Sequence, residues 1–86
     1  MQNFFYKSST DYIWEDNSYV AIEPQGKYAI RLIANREGLI SLSNQLKEFA
    51  NSDDSSVCYE TWPGDLEDGS LNLEIVKSER RGRRLG

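Results

Sequence analysis

The side chains that could do chemistry in this chain are carboxylates, because its 86 residues include no histidine. Without an imidazole, the sequence excludes a Ser-His or Cys-His nucleophile, a histidine-ligated metal and a histidine general base. A cluster of acids, Asp65, Glu67 and Asp68, follows Trp62 in a stretch rich in turn-forming residues. These acids lack the ligand spacing of a calcium-binding loop, so we expect no catalytic residue, no metal and no cofactor.

The composition indicates one small cytoplasmic protein. The single cysteine, Cys58, cannot close an intramolecular disulfide and is expected to be a small, partly buried apolar residue. No apolar run approaches the roughly 20 residues that cross a bilayer, and the N-terminal residues lack the apolar segment of a signal peptide. We therefore expect no contact with a membrane.

A helix is predicted over about residues 36–51, because apolar residues recur there at steps of three and four. Asn35 is the expected N-cap, and Glu37 is favoured by the helix dipole. The row expected to face the core is Leu39, Leu42, Leu46, Phe49 and Ala50. The side chains expected to face water are Ser41, Asn44, Gln45, Lys47 and Glu48.

The flanking segments alternate apolar and polar residues and predict strands at 28–34, 57–62 and 71–76. Residues 18–22 can pair with 28–34 across a turn, and residues 4–6 and 12–14 are weaker strand candidates. The sequence thus predicts an α+β fold of two layers, one helix on a mostly antiparallel sheet of four to five strands in a ββαββ-like order. We expect one domain at 1–77 and a basic, disordered tail at 78–86. The expected inward residues of the strands are Ile30, Leu32, Val57, Tyr59, Leu71, Leu73 and Ile75.

Charge is distributed unevenly along the chain. The total is −4, but the last ten residues carry +4, so the rest of the chain carries −8. A body this acidic repels nucleic acid and attracts basic proteins. A short basic tail is typically solvated, although it can also dock on an acidic surface of its own or a second subunit, or contact phosphates. The last of these is disfavoured, because the tail has no interleaved aromatic residues.

One helix can cover one face of such a sheet, which leaves the other face for solvent, for the N-terminal segment or for another protein. Strand alternation assigns to that face Arg31, Ile33, Cys58, Glu60, Trp62, Glu74 and Val76. A mixture of tryptophan, apolar side chains and carboxylates is typical of a protein-recognition surface. The alternative is that the N-terminal aromatic residues fold over this face and bury it, namely Phe4, Phe5, Tyr12, Trp14 and Tyr19.

Two segments of the chain resemble a known family. They are residues 30–46, which read IRLIANREGLISLSNQL, and residues 66–75, which read LEDGSLNLEI. This order of strand, Glu-Gly-Leu helix opening, leucine-rich helix, strand, Leu-x-x-Gly-Ser turn and final strand is similar to the Imm32-like family, small bacterial immunity proteins of polymorphic toxin systems.

The resemblance implies a protein that neutralises a bacterial toxin by tight binding without turnover. The acidic body is compatible with that role, since a basic toxin surface would be occluded by carboxylates. The residues that we expect to contact the partner are Glu60, Trp62, Asp65, Glu67 and Asp68, followed by Glu74. The alternative is a small structural or regulatory subunit, without a toxin partner, that self-associates as a homodimer through the open sheet face or an edge strand.

Overall fold

A computed structural model of the chain describes residues 6–82, which form five strands, one α-helix and a turn of 3-10 helix at Ser9–Asp11. The main elements are β1 (Tyr6–Ser8), β2 (Val20–Gln25), β3 (Ala29–Ala34), α1 (Arg36–Ala50), β4 (Ser56–Tyr59) and β5 (Leu73–Val76). The predicted helix is confirmed to within one residue. Residues 12–14 form no strand, and residues 4–5 lie outside the described part of the chain.

The five strands divide into two sheets, whereas we expected one. One sheet has the order β1-β4-β5, with β1 parallel and β5 antiparallel to β4, and the second is the antiparallel hairpin of β2 and β3. Residues 67–71 join the two, since the amides of Glu67 and Leu71 donate to the carbonyls of Val20 (2.9 Å) and Ile22 (2.8 Å). The α+β class, with one helix packed on mostly antiparallel strands, is confirmed.

Asn35 caps α1 as predicted and also fixes the helix to the segment before β2. Its Oδ1 accepts hydrogen bonds from the amides of Gly38 (2.8 Å) and Tyr19 (3.0 Å), and its Nδ2 donates to the carbonyl of Asn17 (2.7 Å). This close approach requires a glycine at position 38, because a Cβ on Gly38 would collide with the carbonyl oxygen of Tyr19 and lie 2.9 Å from Cγ2 of Val20. A larger residue would push the helix away from β2.

The predicted inward face of α1 is only partly correct. Phe49 is buried and Leu42 packs against the core, but Leu39, Leu46 and Ala50 are exposed. The helix instead buries Gly38, Ser41, Gln45 and Phe49, so the expectation that Ser41 and Gln45 face water was wrong. The reason is that both polar side chains bond to the segment 13–18, as described below.

The core lies between α1, β2 and β4. Its buried members are Tyr12, Val20, Ile22, Phe49, Val57, Tyr59 and Leu66. Val57 and Tyr59 are inward as predicted, and Leu73 and Ile75 pack against this cluster while partly exposed. The expectation that Ile30, Leu32 and Leu71 are inward was wrong, since all three are exposed; β3 is an outer strand that extends beyond the core.

The N-terminal aromatic residues that the structure describes do not cover the face of the strands that was predicted to be open. Tyr12 belongs to the core, and the ring of Trp14 packs edge-on against Tyr59, with centroids 6.1 Å apart. Tyr19 is exposed, and Phe4 and Phe5 lie outside the described residues. Two members of the predicted open face, Trp62 and Val76, are more than 60% exposed.

Residues 78–82 contain no helix or strand and are exposed. The division into a domain at 1–77 and a disordered tail at 78–86 stays a prediction. Just before the tail, the ammonium group of Lys77 donates to the carbonyl of Ser52 (2.7 Å) and lies 4.9 Å from the centre of the Phe49 ring. These two contacts hold the end of β5 against the end of α1.

Candidate functional site

A tight turn between β4 and β5 presents the predicted acidic residues. The amide of Gly64 donates to the carbonyl of Thr61 (2.8 Å), and the amide of Leu66 donates to the carbonyl of Glu60 (3.0 Å). The Trp62–Pro63 peptide bond is cis, and the side chain of Leu66 is buried in the core. The turn is thus anchored at its end, so the side chains around Leu66 have a defined direction.

An open groove of about 420 Å³ runs along this turn, and we call it the first groove. Four of the six predicted contact residues line this groove, so the structure brings these four together. The complete lining is Trp62, Gly64, Asp65, Leu66, Glu67 and Asp68. The indole of Trp62 is 65% exposed, so a bound molecule can reach it.

Asp65 joins the first groove to a second one. Its Oδ2 accepts hydrogen bonds from Nε1 of Trp14 (2.8 Å) and from Oγ of Ser9 (3.3 Å), which fix the carboxylate between the turn and the N-terminal segment. The second groove has a volume of about 340 Å³ and is lined by Trp14, Glu15, Asp16, Asn17, Ser18 and Asp65. The two grooves therefore share one carboxylate as a common wall.

The two grooves together form what we call the acidic surface. It contains five carboxylates and no basic side chain, namely Glu15, Asp16, Asp65, Glu67 and Asp68. The three ion pairs within residues 6–82 lie elsewhere, at Lys7–Glu48, Arg31–Glu23 and Arg36–Glu37. The negative charge of the acidic surface is thus not neutralised by the part of the chain that the structure describes, and this surface attracts cations.

Glu60 and Glu74 are not part of either lining. Glu60 is exposed directly after β4, and Glu74 is exposed on β5 opposite Cys58. Cys58 is partly buried and has no disulfide partner. Across residues 6–82, no group of three or more cysteine, aspartate and glutamate side chains is arranged to hold a metal ion.

A comparison with protein-family models supplies the relationship that this geometry cannot. The model described as immunity protein 32, Imm32, matches residues 29–78, which is more than half of the chain. The chain belongs to the immunity protein 32 family. The comparisons with curated proteins and with solved structures find no match.

The Imm32 match includes β3, α1, β4, the first groove and β5, and it leaves out most of the second groove. Glu15 and Asp16 were not among the contact residues predicted from the sequence. A signal was present, because Trp14-Glu15-Asp16 combines tryptophan and acids as the Trp62 to Asp68 stretch does. Only the contact between Trp14 and Asp65 shows that the two stretches adjoin.

No helix within residues 6–82 of this Imm32 protein is long and apolar enough to cross a membrane. The α-helix within these residues, α1, has 15 residues, of which nine are polar, charged or glycine, including the buried Gln45. Ser41 and Gln45 of this helix hold the N-terminal segment that carries part of the acidic surface, through their hydrogen bonds to the amide of Glu15 and the carbonyl of Ile13.

Proposed function

We propose that this protein neutralises a cognate bacterial toxin by binding it without catalysis, and that the acidic surface makes the contact. Membership of the Imm32 family supports the role of an immunity protein. The observation that supports the location is the set of five carboxylates without basic neighbours in the two joined grooves. The partner is a basic protein domain, met in the cytoplasm of the bacterium that makes the toxin.

The proposed contact residues have different roles. Trp62 is the aromatic anchor, because its exposed indole can pack on apolar groups of the toxin or on the face of a guanidinium group. Asp65, Glu67 and Asp68 surround it and accept hydrogen bonds from lysine and arginine. Glu60 and Glu74 lie outside the grooves and contribute through the long-range field.

A binding role also agrees with the state of the titratable side chains. The chain has no histidine, and burial raises the pKa of both core tyrosines, Tyr12 and Tyr59. Neither phenol therefore serves as a base near neutral pH. The chemistry that remains to the carboxylates is recognition of positive charge.

The test is a stopped-flow measurement of the rate at which this protein associates with its cognate toxin, at several salt concentrations. We expect the double variant Glu67→Lys and Asp68→Lys to bind about tenfold or more slowly at low salt and to show a flatter salt dependence. Circular dichroism melts should change little, because Asp68 is exposed and Glu67 is half-buried in the turn.

A matched control is Asp53→Lys with Glu79→Lys, which makes the same change of net charge near the ends of α1 and β5. We expect this control to slow association much less. Equal slowing by both pairs would mean that only net charge matters, and no slowing by the first pair would place the toxin contact elsewhere. Loss of protection against the toxin in co-expressing cells should follow the first pair alone.

A further inference from the structure

Within residues 6–82, the second sheet ends in a long apolar edge that no other strand covers. β3 reads Ala-Ile-Arg-Leu-Ile-Ala, and five of its six residues are exposed, with Ile30 at 62%, Leu32 at 46% and Ile33 at 36%. Tyr28, just before the strand, is exposed as well. An apolar edge of this kind is a template for pairing with another strand.

The direction of the backbone groups on β3 follows from the bonds of β2. Val20 and Ile22 bond to residues 67–71, so their backbone groups point away from β3. The alternate residues of β2 therefore bond to β3, where their register partners are Ala29, Arg31 and Ile33. It follows that Ile30, Leu32 and Ala34 point their N–H and C=O groups outward. Within residues 6–82 these outward groups have no backbone partner.

The usual protections of an edge strand are missing here. The register with β2 is continuous over six residue pairs, without a bulge, and β3 contains no proline. Its one charge, Arg31, is paired with Glu23 of the neighbouring strand at 3.0 Å. By contrast, Pro24 lies in β2 at a position whose nitrogen faces away from β3, so the opposite side of the hairpin is blocked.

We propose that β3 pairs with β3 of a second copy of this chain, antiparallel about a twofold axis at Leu32. In this register Leu32 faces Leu32 of the second copy and Ile30 faces Ala34, which joins the outward groups in about six backbone hydrogen bonds. Arg31 then lies opposite Ile33. The neighbouring twofold register, centred on Arg31, would place two arginines directly opposite each other and is disfavoured.

Charge distribution also favours a second copy as the occupant. The proposed interface carries one paired arginine per strand, so the acidic character of the whole chain is not concentrated there. The acidic surface lies on the other side of β2, next to residues 67–71. The dimer therefore keeps both acidic surfaces open at its two ends, and this inference does not depend on the proposed function.

The proposal is tested first by two substitutions of the same kind at adjacent positions. Leu32→Glu places like charges opposite each other, whereas Ile33→Glu places a carboxylate opposite Arg31 of the second copy. In sedimentation equilibrium we expect the unmodified protein to be dimeric at micromolar concentrations. Leu32→Glu should raise the dissociation constant at least tenfold, and Ile33→Glu should lower it by about three- to tenfold. Equal effects of the two substitutions, or an unmodified protein that is monomeric at several hundred micromolar, would overturn the proposal.

A second measurement avoids substitutions and any loss of folding that Leu32→Glu causes. Amide exchange of the unmodified protein, followed residue by residue by NMR, should show protected amides at Ile30 and Leu32 at high concentration, and this protection should disappear on dilution. The amides of Arg31 and Ile33 should stay protected throughout, because they bond to β2. Rapid exchange at Ile30 and Leu32 at every concentration would contradict self-pairing, as would protection that appears only when the toxin is added.

Discussion

The two sides of α1 differ in a way that reverses simple expectation, since polar residues are buried and leucines are exposed. Gln45 is 2% exposed and Ser41 is buried with it, whereas Leu46, adjacent to Gln45, is 43% exposed. The difference shows that the direction of this helix is set by hydrogen bonds as well as by apolar burial. A row of leucines on a short helix does not by itself identify the inward face.

The segment 13–18 provides the physical reason. It forms no helix or strand, so its backbone groups need other partners where they are covered by the helix. The amide of Glu15 donates to Oγ of Ser41 (2.8 Å), and Nε2 of Gln45 donates to the carbonyl of Ile13 (3.1 Å). Oε1 of Gln45 in turn accepts from the hydroxyl of Tyr59 (2.8 Å). One polar row thus joins the helix, the irregular segment and the sheet.

The largest expected effect that tests this comparison comes from Gln45→Ala. The substitution leaves the buried hydroxyl of Tyr59 without its partner, removes the donor to the carbonyl of Ile13 and also opens a cavity. We expect a loss of about 2–4 kcal/mol in the free energy of unfolding. Urea denaturation measures it, and Asn44→Ala, at an exposed neighbouring position, is the matched control with a change near zero. A similar loss in both variants would mean that the polar row has no special part in stability.

The fold was predictable from the sequence where the pattern is local. The N-cap Asn35, the end of α1 and the inward residues Val57 and Tyr59 all follow from short stretches of sequence. The direction of α1 was not predictable, because it depends on an irregular segment more than 20 residues earlier in the chain. Strand alternation failed in β3 for a related reason, since it identifies the two faces of a strand but not whether anything covers them.

The same limit applies to the acidic surface. The residues of the first groove are neighbours in sequence, so their proximity could be predicted. The contribution of Glu15 and Asp16 could not, because it requires the hydrogen bond from Trp14 to Asp65 across the fold. A distant segment thus determines the orientation of the helix and supplies two of the five carboxylates of the acidic surface.

The second effect is a loss of stability at alkaline pH, and it concerns Tyr59, the hydrogen-bond partner of the buried Gln45. The pKa of Tyr59 is raised above its ordinary value by burial, and next by Tyr12 and Asp65. In the unfolded chain this phenol ionises near pH 10, so above that pH the unfolded state releases its proton first and stability falls. We expect at most about 1.4 kcal/mol lost per pH unit from this group.

Urea unfolding at pH 9, 10 and 11 measures this loss, with Tyr59→Phe as the comparison. The variant is less stable at pH 9, because Gln45 loses its hydrogen bond, but its stability should fall less steeply above pH 10. Tyr12, whose pKa is also raised by burial, contributes to the slope that remains. Parallel slopes in the two proteins would mean that the phenol of Tyr59 is not protected from ionisation in the folded state.

The smallest effect is expected on the exposed side, from Leu46→Ala. Its side chain is already partly in water, and alanine favours a helix at least as well as leucine, so the loss should stay below about 1 kcal/mol. Leu42→Ala, about one helical turn earlier, is the matched control. The side chain of Leu42 packs against the core, so we expect this substitution to lower the free energy of unfolding by about 2 kcal/mol. Thermal melts of both variants give the order. If Leu46→Ala is the more destabilising, the exposed leucine row is covered in solution by another surface, and concentration-dependent melting would then identify a second copy of the chain as that surface.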